Sequence, residues 1–297
     1  MLFSDVMRSG AFDGQTDDRL KDEDNVAWVM GLPDRARDDW LITLEWGRVA
    51  DRLVEGVVLD DASEIALADF SGAWATLRRG SVPERSQFVD LFVRLDERWR
   101  REGLGEPELR RWDRHLEALW HYRRPDDVIA TIDDLRRALH ELSGTFFQAC
   151  PFQPPGLAEA VSALGALDQF FNNLRDLHED TVRGIIYLPP DVLDRFEIAP
   201  AELPALVGSV DRRLEHLFAY LLSTLVAELR RQAAPLFAAP DLHESWHAML
   251  HSVATRHSRI EYAARKCRFD AAAFTAVYWP MAEADPAVGG PSPRPGG

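Results

Sequence analysis

Cysteine is nearly absent from this chain: Cys150 and Cys267 are the only two among 297 residues. A pair so far apart supplies no disulfide framework, and a reducing compartment keeps both as thiols. Long apolar runs are missing as well. No stretch of about 18 uncharged apolar residues occurs, so no integral membrane segment is expected. The first residues, MLFSDVMRSGAFDGQTDD, lack the basic start and apolar core of a secretory leader, and the expected location is the cytoplasm. Positive charge is in deficit, with 34 Lys and Arg against 49 Asp and Glu, a formal net charge of −15. That balance repels phosphate backbones and excludes nucleic acid as an expected partner. An anionic small substrate would need metal ions or a local basic pocket here. Apolar–polar alternation of period two is lacking too, which excludes half-buried strands. Nor does the chain carry G-x-x-x-x-G-K-[ST], G-x-G-x-x-G or G-x-S-x-G, the loops that cradle nucleotides or present a hydrolase serine.

What is present is helix. Hydrophobic residues make up 46% of the chain and recur at three and four positions, enough for one large all-α domain. Punctuation falls at Gly31-Leu32-Pro33, Gly80 to Pro83, Gly103 to Pro107, Cys150 to Gly156, Leu188-Pro189-Pro190 and Ala234-Pro235. Helices of about 15 to 25 residues between short joints predict a helical bundle around a central cavity. The domain is expected over 21–282, after a flexible N-terminus at 1–20 and before a Pro/Gly tail at 283–297.

The stretch LDQFFNNLRDLHEDTVRGIIYLPPDVLDRF, Leu167 to Phe196, holds the densest chemistry. On a helix, Gln169, Asn172, Asp176 and Asp180 share one face, flanked by Arg175 and Glu179. Carboxylates one turn apart hold hard divalent cations, and Mg²⁺ takes one or two of them plus water and phosphate oxygens. Spacing alone equally allows a solvated face in which Arg175, Glu179 and Arg183 make ordinary ion pairs.

The same window resembles the second aspartate-rich motif of the squalene and phytoene synthase family, Q-x-x-N-x-x-R-D-x-x-x-D followed by G-x-x-Y-L-P. The matching residues are Gln169, Asn172, Arg175, Asp176, Asp180, Gly184, Tyr187, Leu188 and Pro189. Upstream, Leu32 to Gly56 resembles the family's L-P segment leading into R-x-x-D-D-x-x-D. There Arg48 and Asp51 match, Arg52 replaces the second aspartate and Glu55 the last. The resemblance implies an isoprenoid synthase fold, an allylic prenyl diphosphate substrate and Mg²⁺. It implies Asp51 and Glu55 facing Asp176 and Asp180 across the core as metal ligands, with Glu179 beside them. Asn172 and Gln169 would support the metal cluster, while Arg48, Arg175, Arg183 and Tyr187 would touch the diphosphate. Monomer and homodimer both stay open.

Departures from the family pattern point to a particular member. Where a His/Ser/Lys-rich patch usually precedes the L-P segment, this chain has KDEDNVAW, Lys21 to Trp28, which is acidic and repels a second diphosphate. Ile185 stands where the family often has a phosphate-binding arginine. In ALHELSGTFF, Ala138 to Phe147, Gly144 and Thr145 match, but Phe146 and Phe147 replace smaller cavity-lining residues. Phe170 and Phe171 add bulk, and Asp168 replaces an apolar residue. A short pocket is the expectation, with dimethylallyl or geranyl as donor and an aromatic acceptor such as a carbazole, in secondary metabolism. Asp168, His140 and Glu141 are then candidates for orienting the acceptor or taking its proton. Head-to-head coupling of two prenyl diphosphates, cyclisation of one, and a non-catalytic homologue are the competing readings. His243, Glu244 and His247 carry H-E-x-x-H spacing with His251 beyond, yet no third ligand or edge strand accompanies them, so a polar helix face is expected rather than zinc.

Overall fold

Residues with i, i+3, i+4 apolar spacing form helices throughout. The computed structural model describes residues 21, 24–57, 61–123 and 128–285, and all regular structure among them is helical. Helix α1 (Asp34–Val57) starts directly after Pro33, whose ring holds Leu32 extended. Helix α2 (Asp61–Arg78) leads to Gly80 at φ 83°, and α3 (Val89–Glu102) stops on a left-handed Gly103. Helix α4 (Glu106–His121) has Pro107 in its first turn, with the Glu108 carboxylate accepting the Gly105 N–H at 3.0 Å.

Thr131 and Asp134 cap each other's backbone at the start of α5, which runs from Ile132–Leu139 through a π turn, His140–Gly144, into Thr145–Ala149. Helix α6 (Ala158–Val182) is the axis of the bundle, with Val161, Ala163, Leu164, Ala166 and Phe171 fully buried. Short α7 (Pro190–Arg195) and α8 (Leu203–Leu206) follow. Helix α9 joins Arg212–Leu221, a second π turn at Leu222–Val226, and Ala227–Ala238. Last come α10 (Glu244–Lys266) and α11 (Ala271–Glu283).

Two apolar clusters span the bundle. One centres on Trp46, Trp74, Trp99 and Trp112, whose rings meet at 4.8 to 5.6 Å across α1 to α4. The other joins Trp40 and Leu41 of α1 to Val161 and Leu164 of α6 and Trp246 of α10. These tryptophans therefore fill helix interfaces. Helices α5 and α6 cross at glycine: a Cβ on Gly144 would lie 2.5 Å from the Ser162 hydroxyl, and one on Gly165 2.3 Å from the Ser143 carbonyl oxygen. Cys150 and Cys267 are both free and buried.

Two joints differ from expectation. No break falls at Ala234-Pro235, because α9 continues through Pro235 to Ala238. A helical proline costs about 3 kcal/mol, and burial of Leu229, Ala233 and Leu236 with no exposed surface offsets it. The turn before α11 uses Arg268 and Phe269 at φ 55° and 61°, with no glycine to announce it, and is held by Phe269 stacked on Phe218 at 4.9 Å. At the C-terminus, order extends past 283: the Asp285 carboxylate meets Arg259 at 2.7 Å. The flexible segment expected at 1–20 and the tail from 286 lie outside the described residues. Among the described residues no helix is long and apolar enough to cross a membrane.

Candidate active site

The polar face of α6 sits where a buried helix emerges from the core, so its carboxylates are half-buried rather than solvated. Gln169 accepts from the Ser143 hydroxyl at 2.5 Å and donates to Asn173 at 2.8 Å, which ties the face to the π turn of α5. Asn172 donates to Asp168 at 3.4 Å, and its own Oδ1 is buried with no hydrogen-bond partner. One turn on, Asp176 takes both a 3.0 Å Nε–H bond and a 3.0 Å Nη2–H bond from Arg175. Lys21 approaches it at 3.3 Å and also pairs with Glu179, which Arg183 meets at 2.7 Å. Burial alone would raise the Asp176 carboxyl, but Arg175 and Lys21 hold it below the usual range. Asp180 is pushed up to about 7, first by burial and then by the negative charge of Asp176 and Glu179.

An orphaned amide oxygen and two carboxylates at successive turns, one of them crowded by like charge, form a hard-oxygen donor set that fits Mg²⁺. The fit concerns α6 alone. Among the described residues no group of three His, Cys, Asp or Glu side chains converges as a metal site. On α1, Arg48 lies 3.4 Å from Asp51, and the Glu55 side chain lies outside the described residues.

Helix α5 lies against both motif helices. Its Gly144 backs onto Ser162 of α6, and the Phe146 ring lies on Gly47 of α1, so close that a Cβ there would be 2.4 Å from the ring. His115 flanks the same ring at 5.1 Å. Phe147 is buried beside it, while Phe171 is wholly buried and stacked on His257 at 4.5 Å. Tyr187 and Asp180 share a cavity of about 30 Å³ with Phe170, Leu174, Leu177, Ile186 and Phe218.

Several of the expected site residues are bonded within the fold. Asp168 does not face an open space for an acceptor: Arg256 and His257 both bond its Oδ1, the latter at 2.8 Å, and their charge and hydrogen bonds hold the carboxyl far below its ordinary range against the opposing effect of burial. His140 contacts the Ser162 hydroxyl at 3.0 Å, with burial lowering its pKa, and Glu141 accepts from the Tyr122 hydroxyl at 2.7 Å. Arg175 is already engaged by Asp176 and by Asn25 at 2.9 Å. Asp24, which sequence reading placed in a merely acidic patch, is buried against Arg175, Arg259 and Tyr278. The nearest of those partners in sequence, Arg175, is more than half the chain away and the farthest is 254 positions away, so no local spacing announces them. His243 caps α10, accepting the Ser245 N–H at 3.2 Å while stacked on Phe152, as a helix start requires and zinc does not. Trp246 donates to the Pro151 carbonyl at 2.9 Å inside the core.

A family model described as squalene/phytoene synthase matches residues 19–283. The fold is similar to that of a dehydrosqualene synthase solved in complex with ligand, with TM-score 0.64 and 16% identity over 89% of this chain and 97% of that one. It is also similar to the squalene synthase HpnC from Alicyclobacillus acidocaldarius, with TM-score 0.65 and 15% identity over 90% of this chain and 94% of that one. No curated protein sequence matches the chain.

Proposed function

The chain belongs to the squalene/phytoene synthase family, whose members transfer prenyl groups, and from this we propose that it moves a short prenyl group from an allylic diphosphate to an aromatic acceptor. The observation that carries the short donor is Phe146 seated on Gly47, one residue before Arg48, where it fills space between the motif helices. Bulk at that place favours a dimethylallyl or geranyl chain over longer ones. Asp176 and Asp180, with Asn172, would hold Mg²⁺, joined by Asp51, Glu55 and Glu179 where they reach it. Bound there, the metal supplies Lewis acidity that neutralises the departing diphosphate.

The rest falls to the protein. Arg48, Arg183 and Tyr187 bind and orient the diphosphate by charge-assisted hydrogen bonds. Phe146, Phe147 and Phe170 exclude water and offer ring faces to an allylic cation. An electron-rich ring such as a carbazole attacks that cation, and the ring proton leaves to His140, to Glu141 or to the released diphosphate. The setting we favour is cytoplasmic secondary metabolism.

Diphosphate release with Mg²⁺ tests this across C5, C10, C15 and C20 donors, each with and without an indole or carbazole acceptor. Acceptor-dependent release from the C5 or C10 donor is the expected result, abolished in Asp176→Asn and Asp180→Asn variants that remain folded. Acceptor-independent release from C15 or C20 with a C30 or C40 hydrocarbon product would replace this reading by head-to-head coupling.

A further inference from the structure

Asp168 lies one turn before Asn172 on α6 and is buried. Its Oδ1 takes bonds from an Nη of Arg256 and, at 2.8 Å, from Nε2 of His257, both of them buried residues of α10. His257 is pinned in turn by the Phe171 ring stacked on it at 4.5 Å. With Oδ1 occupied from α10, Oδ2 is the oxygen that meets Asn172, whose Nδ2–H donates to it at 3.4 Å.

A carboxylate only accepts hydrogen bonds, whereas an amide has one donating end and one accepting end. Arg256 and His257 keep Asp168 ionised against the opposing effect of burial, so only the NH2 end of Asn172 can face it. The Asn172 oxygen is thereby turned the other way, and that atom is buried without a hydrogen-bond partner. Reversing the amide would set its oxygen against an ionised carboxylate and leave its NH2 group unpaired. The orphaned oxygen is therefore a direction imposed from α10, a helix that carries neither motif.

We infer that Asp168, clamped by Arg256 and His257, is a positioning residue that fixes the Asn172 amide with its oxygen presented to the metal set of Asp176 and Asp180. This rests on the proposed reading of that set as a Mg²⁺ site and adds the device that aims one of its donors. Exchanging the two side chains exposes the device. In Asp168→Asn the new amide oxygen is the acceptor left for Arg256 and His257, so its NH2 group faces Asn172. The Asn172 amide then reverses and points NH2, which no cation accepts, at the metal. Adding Asn172→Asp returns the formal charge to that of the wild type: the new carboxylate gives one oxygen to the neighbouring NH2 and the other to the metal.

The test is titration with Mn²⁺ in place of Mg²⁺, read from the electron paramagnetic resonance of the free ion, with no diphosphate, prenyl donor or acceptor present. Asp168→Asn should weaken binding by about 10- to 100-fold, as loss of a partner that orients a metal ligand does. The exchanged pair, Asp168→Asn with Asn172→Asp, should return close to the wild-type affinity. Undiminished affinity in Asp168→Asn, or no recovery in the exchanged pair, overturns the inference. So does an equal gain from Asn172→Asp in the wild-type and Asp168→Asn backgrounds, since the two positions would then act independently. Should Asp168→Asn alone fail to fold, the exchanged pair carries the test: wild-type affinity supports the inference, and misfolding or weakened binding overturns it. A wild type that binds no Mn²⁺ fails the metal reading of α6 itself, whereas a wild type that binds and is indifferent to the exchange fails only the role of Asp168.

Discussion

His115 shows how one side chain couples the core to pH. Its Nδ1 lies 2.9 Å from the Leu142 carbonyl, between the Trp46 and Phe146 rings, and burial pushes its pKa down to about 4. The folded state therefore keeps it neutral, with Nδ1–H donating to the carbonyl. Between an unfolded value of 6.5 and the folded value near 4, the unfolded chain binds a proton that the native one refuses. By linkage, stability is lost as pH falls through that window, by about 2 kcal/mol from pH 7.5 to 5. Urea unfolding at those two pH values should show a steeper loss in the wild type than in His115→Gln, by roughly that amount. Parallel losses would mean that His115 is protonated in the fold. Neither its burial nor its carbonyl partner was visible from the sequence, where the residue sits in the polar run RRWDRHLEALW.

At the scale of helices, the α5–α6 crossing is the contact that sets the site. Gly165→Ala drives a methyl group into the Ser143 carbonyl and the Gly144 Cα, both backbone, so the helices must part. The expected cost is about 1 to 3 kcal/mol. Gly72→Ala is the control: this exposed position inside α2 has no heavy atom within 4 Å of a new Cβ, and the change should stabilise by up to about 1 kcal/mol. Denaturant midpoints moving in opposite directions would establish that crossing distance, not helix propensity, governs Gly165. Helices themselves were legible from apolar spacing and from Gly and Pro punctuation, which place the starts of α1, α4 and α6 and the stop of α3. Pro235 and the Arg268–Phe269 turn were not, because tertiary burial overrides propensity at the first and Phe269 packs on the distant Phe218 at the second.

For the molecule as a whole, the site was half legible. The α6 face follows from spacings of three and four within one helix, and the structure gives it an orphaned Asn172 oxygen and an Asp180 raised by burial and its acidic neighbours. The basket around Asp24 draws on both ends of the chain, and no pattern shorter than the fold encodes it. A whole-molecule readout separates the two. Mg²⁺ with pyrophosphate at about 100 times its dissociation constant should stabilise the wild type by about 2.7 kcal/mol. That is a rise of several degrees in unfolding temperature for a domain of this size. Asp180→Asn should lose most of this rise, and a variant that keeps it would move the metal off α6.

The π turn at His140–Gly144 closes with the Thr145 N–H bonding the His140 carbonyl, five residues back. It amounts to one surplus residue absorbed without breaking α5. The same residues in ordinary winding would turn everything beyond that point by about 100°. Phe146 would then leave Gly47 and point elsewhere. The space between the motif helices is thus set by a winding device: a change in how this one turn is wound, with no change in the identity of any lining side chain, would re-gauge which chains fit.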